Sequence, residues 1–224
     1  MKAVAADLLD DSTLRSCMLF SGLTDDERTA LVARAPTRTF APGETVFLMG
    51  SRGDSMMAVL SGSVRISVSS PDGKELTLAI VQRDEIFGEI ALLDRTERTA
   101  DATAMTACKL AILDRREIQS FLEAHPAALL RIVDMLCARL RRTDQQLAEL
   151  ALLPVPVRLA KALLRVATTV PIQLSQRELG ALVGATREST NKCLRGWQSD
   201  GLVRMKKAFI TIVDRKGLEE LAEA

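Results

Sequence analysis

The stretch Ala127–Leu153, AALLRIVDMLCARLRRTDQQLAELALL, decides how the rest of the chain is arranged. Its apolar residues recur at alternating spacings of four and three. The positions of this row, which we call the seam, are Leu129, Val133, Leu136, Leu140, Thr143, Leu147 and Leu150. A heptad pattern sustained over about three repeats is typical of coiled coils, so it predicts a long helix that pairs with a second copy. The alternative is a core helix within one chain, which more often shows a wider apolar stripe.

The ends of this stretch and its one polar seam position are also informative. His125-Pro126 suits a helix start, because the first turn does not need the amide donor that proline lacks. Pro154 predicts its end. Thr143 interrupts the apolar row and is followed by Asp144. A polar seam residue can set the pairing register or contact a ligand at a subunit interface, and the pattern leaves both interpretations open.

Length and composition argue against several classes of protein. The chain has 224 residues, enough for two domains of ordinary size, and 47% of them are hydrophobic. The start has no signal-peptide pattern and no stretch approaches a membrane span, so we expect a cytoplasmic protein without membrane contact. A single histidine and four scattered cysteines predict no metal, haem or iron–sulfur site. With no nucleophile–base pair in evidence, the sequence argues against an enzyme.

The net charge of +1 is unevenly distributed along the chain. Residues 1–153 hold 18 Lys and Arg against 22 Asp and Glu, a net charge of −4. Residues 154–224 hold 12 against 7, a net charge of +5. A basic unit behind an acidic one indicates nucleic acid as the partner of the second part. Because solvated faces often carry such an imbalance too, this signal needs the support of motifs.

The first half of the chain has the pattern of a small β-structure. After short helical pieces predicted within residues 7–34, β-forming runs alternate with turns at roughly ten-residue spacing, which is typical of a sandwich or barrel. Pro71-Asp72-Gly73 is a strong hairpin signal, and a helix over Asp114–Glu123 leads into the long helix. The predicted strands are Thr37–Phe40, Thr45–Met49, Met56–Leu60, Val64–Val68, Leu76–Val81, Ala100–Met105 and Cys108–Leu113.

After Pro156 the period becomes helical again. An apolar stripe from Val157 predicts a helix that ends near Thr169-Val170-Pro171. A capping box at Ser175–Glu178 starts the next helix, which Gly184 breaks. The third helix and the two strands of a wing that follow it are predicted at Arg187–Gln198, Leu202–Met205 and Ala208–Val213.

Two helices joined by a tight turn are typical of a helix-turn-helix, whose second helix reads the major groove of DNA. Arginine makes bidentate bonds to guanine, glutamate accepts from cytosine, and asparagine or lysine reaches a base or a phosphate. The alternative is a solvated helix of mixed charge. The candidate DNA-binding residues are Thr186, Arg187, Glu188, Asn191, Lys192 and, in the wing, Lys206.

Residues Phe87–Ala100, FGEIALLDRTERTA, fit neither a plain strand nor a long helix, and we call them the cassette. Gly88 lets backbone amides approach an anion closely, and the short helical turn after it offers an N-terminus to a phosphate. Arg98 can pair with that phosphate, Thr99 adds a hydroxyl donor, and Glu89 can accept a ribose hydroxyl. The alternative is a surface Glu–Arg pair on a barrel loop.

The F-G-E-x-A-L-L-D-x-x-x-R-T-A run resembles the phosphate-binding cassette of cyclic-nucleotide-binding domains. With the long helix and the RESTNK helix behind it, the chain from about Phe20 to Val213 resembles the Crp/Fnr family of transcription regulators. The resemblance implies an α+β fold with an N-terminal cyclic-nucleotide-binding β-roll of jelly-roll type, a long dimerisation helix and a C-terminal winged helix-turn-helix. The implied domains are residues 1–126, 127–153 and 154–224.

The resemblance also implies roles for individual residues. Glu89 would bind the ribose, and Arg98 with Thr99 the cyclic phosphate. Thr143 would contact the purine, and Asp144 would reach it from the other subunit. The implied nucleotide-binding set is Gly88, Glu89, Ile90, Ala91, Arg98, Thr99, Thr143 and Asp144. The implied effector is cyclic AMP; the alternatives are cyclic GMP, both nucleotides, or an effector-independent regulator of the same fold.

Three features depart from the pattern of cyclic-AMP-dependent family members. Asp144 replaces a serine that contacts the base, which changes the expected purine selectivity. Lys192 replaces a base-reading arginine, so operator preference is expected to shift or relax. The segment Thr168–Ile172 is shorter than the loop through which such regulators touch RNA polymerase. The expected partners are a second copy of the chain, palindromic double-stranded DNA and RNA polymerase.

Overall fold

The computed structural model describes residues 35–166, 174–206 and 209–223. The helical pieces predicted within residues 7–34, the predicted helix end at Thr169-Val170-Pro171 and the segment Thr168–Ile172 lie outside these ranges. The described chain forms two compact units. Residues 35–67 and 79–139 belong to the first, and residues 68–78 belong to the second together with the described residues from 140 onwards.

Two four-stranded sheets form the sandwich that the strand pattern predicts. Their strand orders are β1-β8-β3-β6 and β2-β7-β4-β5. The strands are β1 Thr37–Phe40, β2 Thr45–Phe47, β3 Ser55–Ser61, β4 Ser63–Ser69, β5 Glu75–Gln82, β6 Ile86–Phe87, β7 Asp101–Ala104 and β8 Cys108–Asp114. All the strands expected from the sequence are present with small shifts at their ends, and the short β6 is an addition.

Strand β3 lies between β8 and β6 in its sheet, and both of its faces are buried. Successive side chains of a strand point to opposite faces. Met56 and Ala58 therefore join one apolar cluster, which includes Ile118. Met57 joins the other, which draws residues from both sheets and includes Val64.

Three helices accompany the sandwich: α1 Glu89–Asp94, α2 Arg115–Ala124 and α3 Pro126–Leu152. Helix α3 begins at Pro126, as predicted. Ala128 and Ile132 are buried in the first apolar cluster, whereas the seam residues Leu140 and Leu147 are 62% and 64% exposed. Helix α3 thus has two apolar faces: one is buried in the first unit, and the other carries seam leucines that are largely exposed within the described chain. None of the helices in the described ranges has the length and apolar composition needed to cross a bilayer.

The second unit contains the helix-turn-helix and wing that the sequence predicts. Ser175 and Glu178 form the capping box through bonds of 2.7 and 3.2 Å between side chain and backbone. Gly184 ends the next helix with a left-handed φ of 59°, which glycine adopts without steric cost. The elements are α4 Val155–Val166, α5 Gln176–Leu182, α6 Arg187–Ser199, β9 Val203–Lys206, β10 Phe209–Ile212 and α7 Arg215–Glu223. Helix α7 has no counterpart in the sequence prediction.

Candidate functional site

Gly88 brings the cassette backbone close to Arg98. It lies between β6 and α1 with a φ of 78°. A Cβ atom added to Gly88 would lie 2.6 Å from Nη1 of Arg98. The guanidinium therefore lies against this turn only because the residue is glycine.

Arg98 is held by backbone carbonyls rather than by a carboxylate. It is 4% exposed, and it donates from Nη1 to the Gly88 oxygen at 2.7 Å and from Nη2 to the Ser55 oxygen at 2.6 Å. Its guanidinium carbon lies 4.3 Å from the centroid of the Phe47 ring. No described carboxylate forms an ion pair with it, and its Nε has no hydrogen-bond partner among the described residues.

The electrostatic surroundings of Arg98 follow from this burial. Burial lowers the pKa of the Arg98 guanidinium, whereas the charges of Asp54 and Glu89 act in the opposite direction. A cation that is desolvated and not paired favours the arrival of an anion, because the anion replaces the lost hydration. Arg98 is thus a buried cation without a carboxylate partner among the described residues.

Glu89 is paired by a residue that the sequence reasoning missed. Glu89 is 1% exposed, and its Oε1 accepts from Nη1 of Arg139 on α3. Arg139 also donates from Nη2 to the backbone oxygen of Ile86. The second carboxylate oxygen, Oε2, is buried and has no partner among the described residues. The available signal was position, since Arg139 lies one helical turn before Thr143 and directly beside the apolar seam.

The other predicted nucleotide-binding residues have different surroundings. Ile90 and Thr99 are exposed. Ala91 is buried against Gly53, where a Cβ atom would lie 2.2 Å from that of Ala91. The structure therefore brings Gly88, Glu89 and Arg98 together in the interior of the first unit.

Thr143 and Asp144 belong to the part of α3 that lies in the second unit. Both are exposed. No described residue forms a hydrogen bond or an ion pair with the Asp144 side chain, although Arg141 and Arg142 precede it. The exposed carboxylate is therefore available to a ligand or a partner.

The helix-turn-helix is built by close approach of α5 and α6. A Cβ atom on Gly180 would lie 2.7 Å from the oxygen of Ala185 and 3.1 Å from Oγ1 of Thr190. Thr186 caps α6, its Oγ1 accepting from the backbone nitrogen of Ser189 at 3.1 Å. This packing fixes the orientation of α6.

The candidate DNA-binding residues occupy the solvent side of α6 and the wing. Thr186, Arg187, Glu188 and Lys192 are exposed and Asn191 is half-buried. Thr190 and Leu194 are completely buried, so they anchor the opposite face of α6. Lys206, the last residue of β9, is also exposed. The geometry leaves these polar and basic groups free to meet an external partner.

Comparison with known proteins gives a family for both halves of the chain. Residues 37–125 match the cyclic nucleotide-binding domain and residues 157–221 match the Crp-like helix-turn-helix domain. The CRP-like cAMP-activated global transcriptional regulator of Mycobacterium tuberculosis is 33% identical over an alignment of 222 residues that covers 95% of this chain and 99% of that protein. The cyclic AMP receptor protein of Thermus thermophilus is 31% identical over 212 residues, covering 93% and 98%.

Solved structures agree with this assignment. A transcriptional regulator of the CRP/FNR family from Thermus thermophilus superimposes with a TM-score of 0.74 at 30% identity, covering 84% of this chain and 99% of that one. The c-di-GMP-responsive global regulator CLP of Xanthomonas campestris gives a TM-score of 0.77 at 25% identity, covering 84% and 99%. The β-sandwich, the long helix and the helix-turn-helix thus all have counterparts in one group of proteins. The chain belongs to the Crp/Fnr family and is a cyclic-nucleotide-responsive transcription regulator, not an enzyme.

Proposed function

We propose that this chain is a cyclic-AMP-dependent, homodimeric regulator that binds palindromic operator DNA. The observation that carries the proposal is Arg98, a buried guanidinium without a carboxylate partner among the described residues. A desolvated charge is costly unless it is paired. The cyclic phosphate of the nucleotide carries the single negative charge that this position lacks.

The ribose contact rests on the second unpaired atom of the cassette. Arg139 holds Oε1 of Glu89, whereas Oε2 is buried and has no described partner. A buried acceptor without a hydrogen bond costs about 1–3 kcal/mol. A ribose hydroxyl that donates to Oε2 would remove this cost, so the hydrogen bond stabilises the complex more than the same bond to an acceptor in water. The pair of orphaned atoms, a donor on Arg98 and an acceptor on Glu89, matches a ligand with an anion and a hydroxyl.

The remaining nucleotide contacts are part of the same proposal. Thr99 follows Arg98 and offers a hydroxyl donor to the phosphate. Ile90 and Ala91 would contribute their backbone amides. Thr143 and Asp144 are assigned to the purine by the family resemblance, and the exposure of both side chains supports that assignment.

The homodimer is proposed from the exposed face of α3. The seam leucines Leu140 and Leu147 are 62% and 64% exposed in the single chain. Leucines repeated at heptad spacing bury such area by pairing with an identical helix. A symmetric dimer would place two copies of α6 one turn of DNA apart, about 34 Å, and hence read a palindrome.

Regulation then follows from differential binding. The nucleotide shifts the protein towards a DNA-binding arrangement only by as much as it binds that arrangement more tightly. The proposed domains are residues 1–126, 127–153 and 154–224, with α3 as the dimerisation element. Contact with RNA polymerase and location in the cytoplasm, where the DNA is, belong to the same proposal.

The proposal is tested by replacing Arg98. We expect Arg98→Ala to lose about 2–5 kcal/mol of cyclic AMP binding, the cost of removing one partner of a buried charge pair. Calorimetric titration of the wild-type and variant proteins measures this loss. Because Arg98 also holds two backbone carbonyls, thermal melting of both proteins serves as the folding control. An unchanged dissociation constant in a folded variant would show that the cassette does not bind the phosphate.

A second candidate effector, cyclic GMP, is favoured by Asp144. An ionised carboxylate only accepts hydrogen bonds, and guanine offers two adjacent donors, N1–H and the 2-amino group, where adenine has an acceptor and no amino group. Asp144 has no described partner, so its carboxylate remains available. A c-di-GMP-responsive protein shares this fold, so effectors differ among proteins with this architecture.

Asp144→Ser separates the two effectors. We expect the variant to bind cyclic GMP more weakly by about 1–3 kcal/mol, the scale of a lost hydrogen bond to a charged group. Cyclic AMP binding should change little. Parallel titrations with both nucleotides measure the difference, and equal effects on both, or no effect on either, would remove Asp144 from purine selection.

A further inference from the structure

The second unit contains a partly open cavity, most of whose lining residues have no part in the proposed function. Its volume is about 210 Å³. Strand β5 forms one wall, the later turns of α3 another, and α4 with the end of α5 the rest. Most of the lining is aliphatic, and it includes Leu76, Leu78, Leu147, Leu150, Leu182 and Val183.

Two unpaired polar atoms belong to side chains that line this apolar space. Thr77 is 3% exposed, and its Oγ1 has no partner among the described residues. Nε of Arg158 is likewise buried without a described partner. Groups of this kind are rare in folded proteins because each lost hydrogen bond to water has to be replaced. Both atoms are therefore suited to meet a ligand.

The charges around the cavity leave one cation unneutralised. Arg165 and Glu149 pair with each other, with 2.9 Å between Nη1 and Oε2. Arg158 instead donates from Nη1 to the backbone oxygen of Leu150 at 2.9 Å, and no described carboxylate pairs with it. The polar side of the cavity thus carries a net positive charge and a hydroxyl.

We propose that this cavity binds a small amphipathic anion, a monocarboxylate with a hydrocarbon tail of about six to eight carbons. An apolar cavity of about 150 Å³ holds benzene, so the present one has room for a slightly larger group. The tail would contact the leucines, and the carboxylate would accept from Arg158 Nε and from the Thr77 hydroxyl. This site uses no cassette residue, and Thr143 is the one lining residue that it shares with the proposed nucleotide contacts.

The competing occupant is a second copy of this chain. Thr143 and Leu147 line the cavity and also lie on the seam. If side chains of a partner helix fill the cavity in the dimer, no small molecule will enter it. The experiment therefore uses the full-length protein in its natural oligomeric state.

Octanoate is the probe, and octan-1-ol is its neutral match. Calorimetric titration should show saturable binding of one octanoate per chain, with octan-1-ol at least about tenfold weaker because the charged head contacts a guanidinium. Arg158→Gln should remove this preference for the anion. Thr77→Val, which removes only the hydroxyl, should weaken octanoate severalfold.

Two control variants test whether the charge of Arg158 itself attracts the anion. Lys161→Gln removes a positive charge from the same helix but not from the cavity lining, and it should leave octanoate binding unchanged. Arg158→Lys keeps the charge and should keep part of the preference for the anion. The proposal is overturned if octanoate does not bind, if octan-1-ol binds as tightly, or if a folded Arg158→Gln variant retains the wild-type preference.

Discussion

Glu89 of the cassette pairs with Arg139 of α3, and the two partners are buried very unequally. The side chain of Glu89 is 1% exposed and that of Arg139 is 33% exposed. A carboxylate buried this far depends on its cation, whereas the cation retains contact with water. The pair therefore joins the middle of α3 to the first residue of α1.

Replacing Arg139 should show this dependence. We expect Arg139→Met to lower the free energy of unfolding by about 1–3 kcal/mol, the cost of a buried polar group left unsatisfied. Adding Glu89→Gln should restore part of the loss, because the amide is neutral. Urea denaturation of the two single variants and the double variant gives the coupling energy. Additive losses would mean that the pair contributes nothing to stability.

At the scale of elements, the helix-turn-helix depends on a helix pair that only glycine permits. Gly180 packs against Ala185 and Thr190, with no room for a Cβ atom. Gly196 lies on α6 of the same motif, and a Cβ atom there would meet nothing within 4 Å. The two glycines therefore differ in packing and form a matched pair for mutation.

Gly180→Ala should weaken operator binding, because the added methyl group separates α5 from α6. This separation changes the orientation of the α6 surface that carries the candidate DNA-binding residues. Gly196→Ala should leave DNA binding unchanged and raise the free energy of unfolding by about 0.5–1 kcal/mol, since alanine loses less backbone entropy in a helix. Fluorescence anisotropy with operator DNA and thermal melting measure the two effects. Equal DNA affinity of both variants would show that the helix spacing is not critical.

At the scale of the whole molecule, α3 contributes to both compact units and still exposes its seam. Burial of Ala128 and Ile132 accounts for one apolar face. The other face carries leucines that are more than half exposed. A monomer would leave this face in water, so association of two chains is the expected outcome.

Charge on the seam should prevent this association. We expect the double variant Leu140→Glu and Leu147→Glu to sediment as a monomer, because each carboxylate would face its own copy across the seam. Leu152→Glu is the control, since Leu152 is 79% exposed and lies outside the heptad row. Analytical ultracentrifugation distinguishes the species, and a dimeric seam variant would place the interface elsewhere.

The sequence by itself determined the features whose causes are local. Ser175 and Glu178 cap each other within one turn, Thr186 caps α6 in the same way, and Gly184 ends α5 through its own backbone freedom. Alternation and turn residues predicted the long strands because side-chain direction repeats every second residue. Helix α7 could have been predicted in the same way. Asp214 is a helix-capping residue whose side chain accepts from the backbone nitrogen of Gly217, and an apolar stripe follows it.

Only the tertiary structure decided the features that depend on distant neighbours. Strand β6 is two residues long and exists because Ile86 and Phe87 pair with β3. The sequence predicted Glu89 and Arg98 as ligand groups, but the burial that leaves one atom of each unpaired comes from the packing around them. Arg139 is 50 residues from Glu89 along the chain. Such contacts leave no pattern in the neighbouring sequence, because each residue is compatible with its own helix or turn whether or not the distant partner is present.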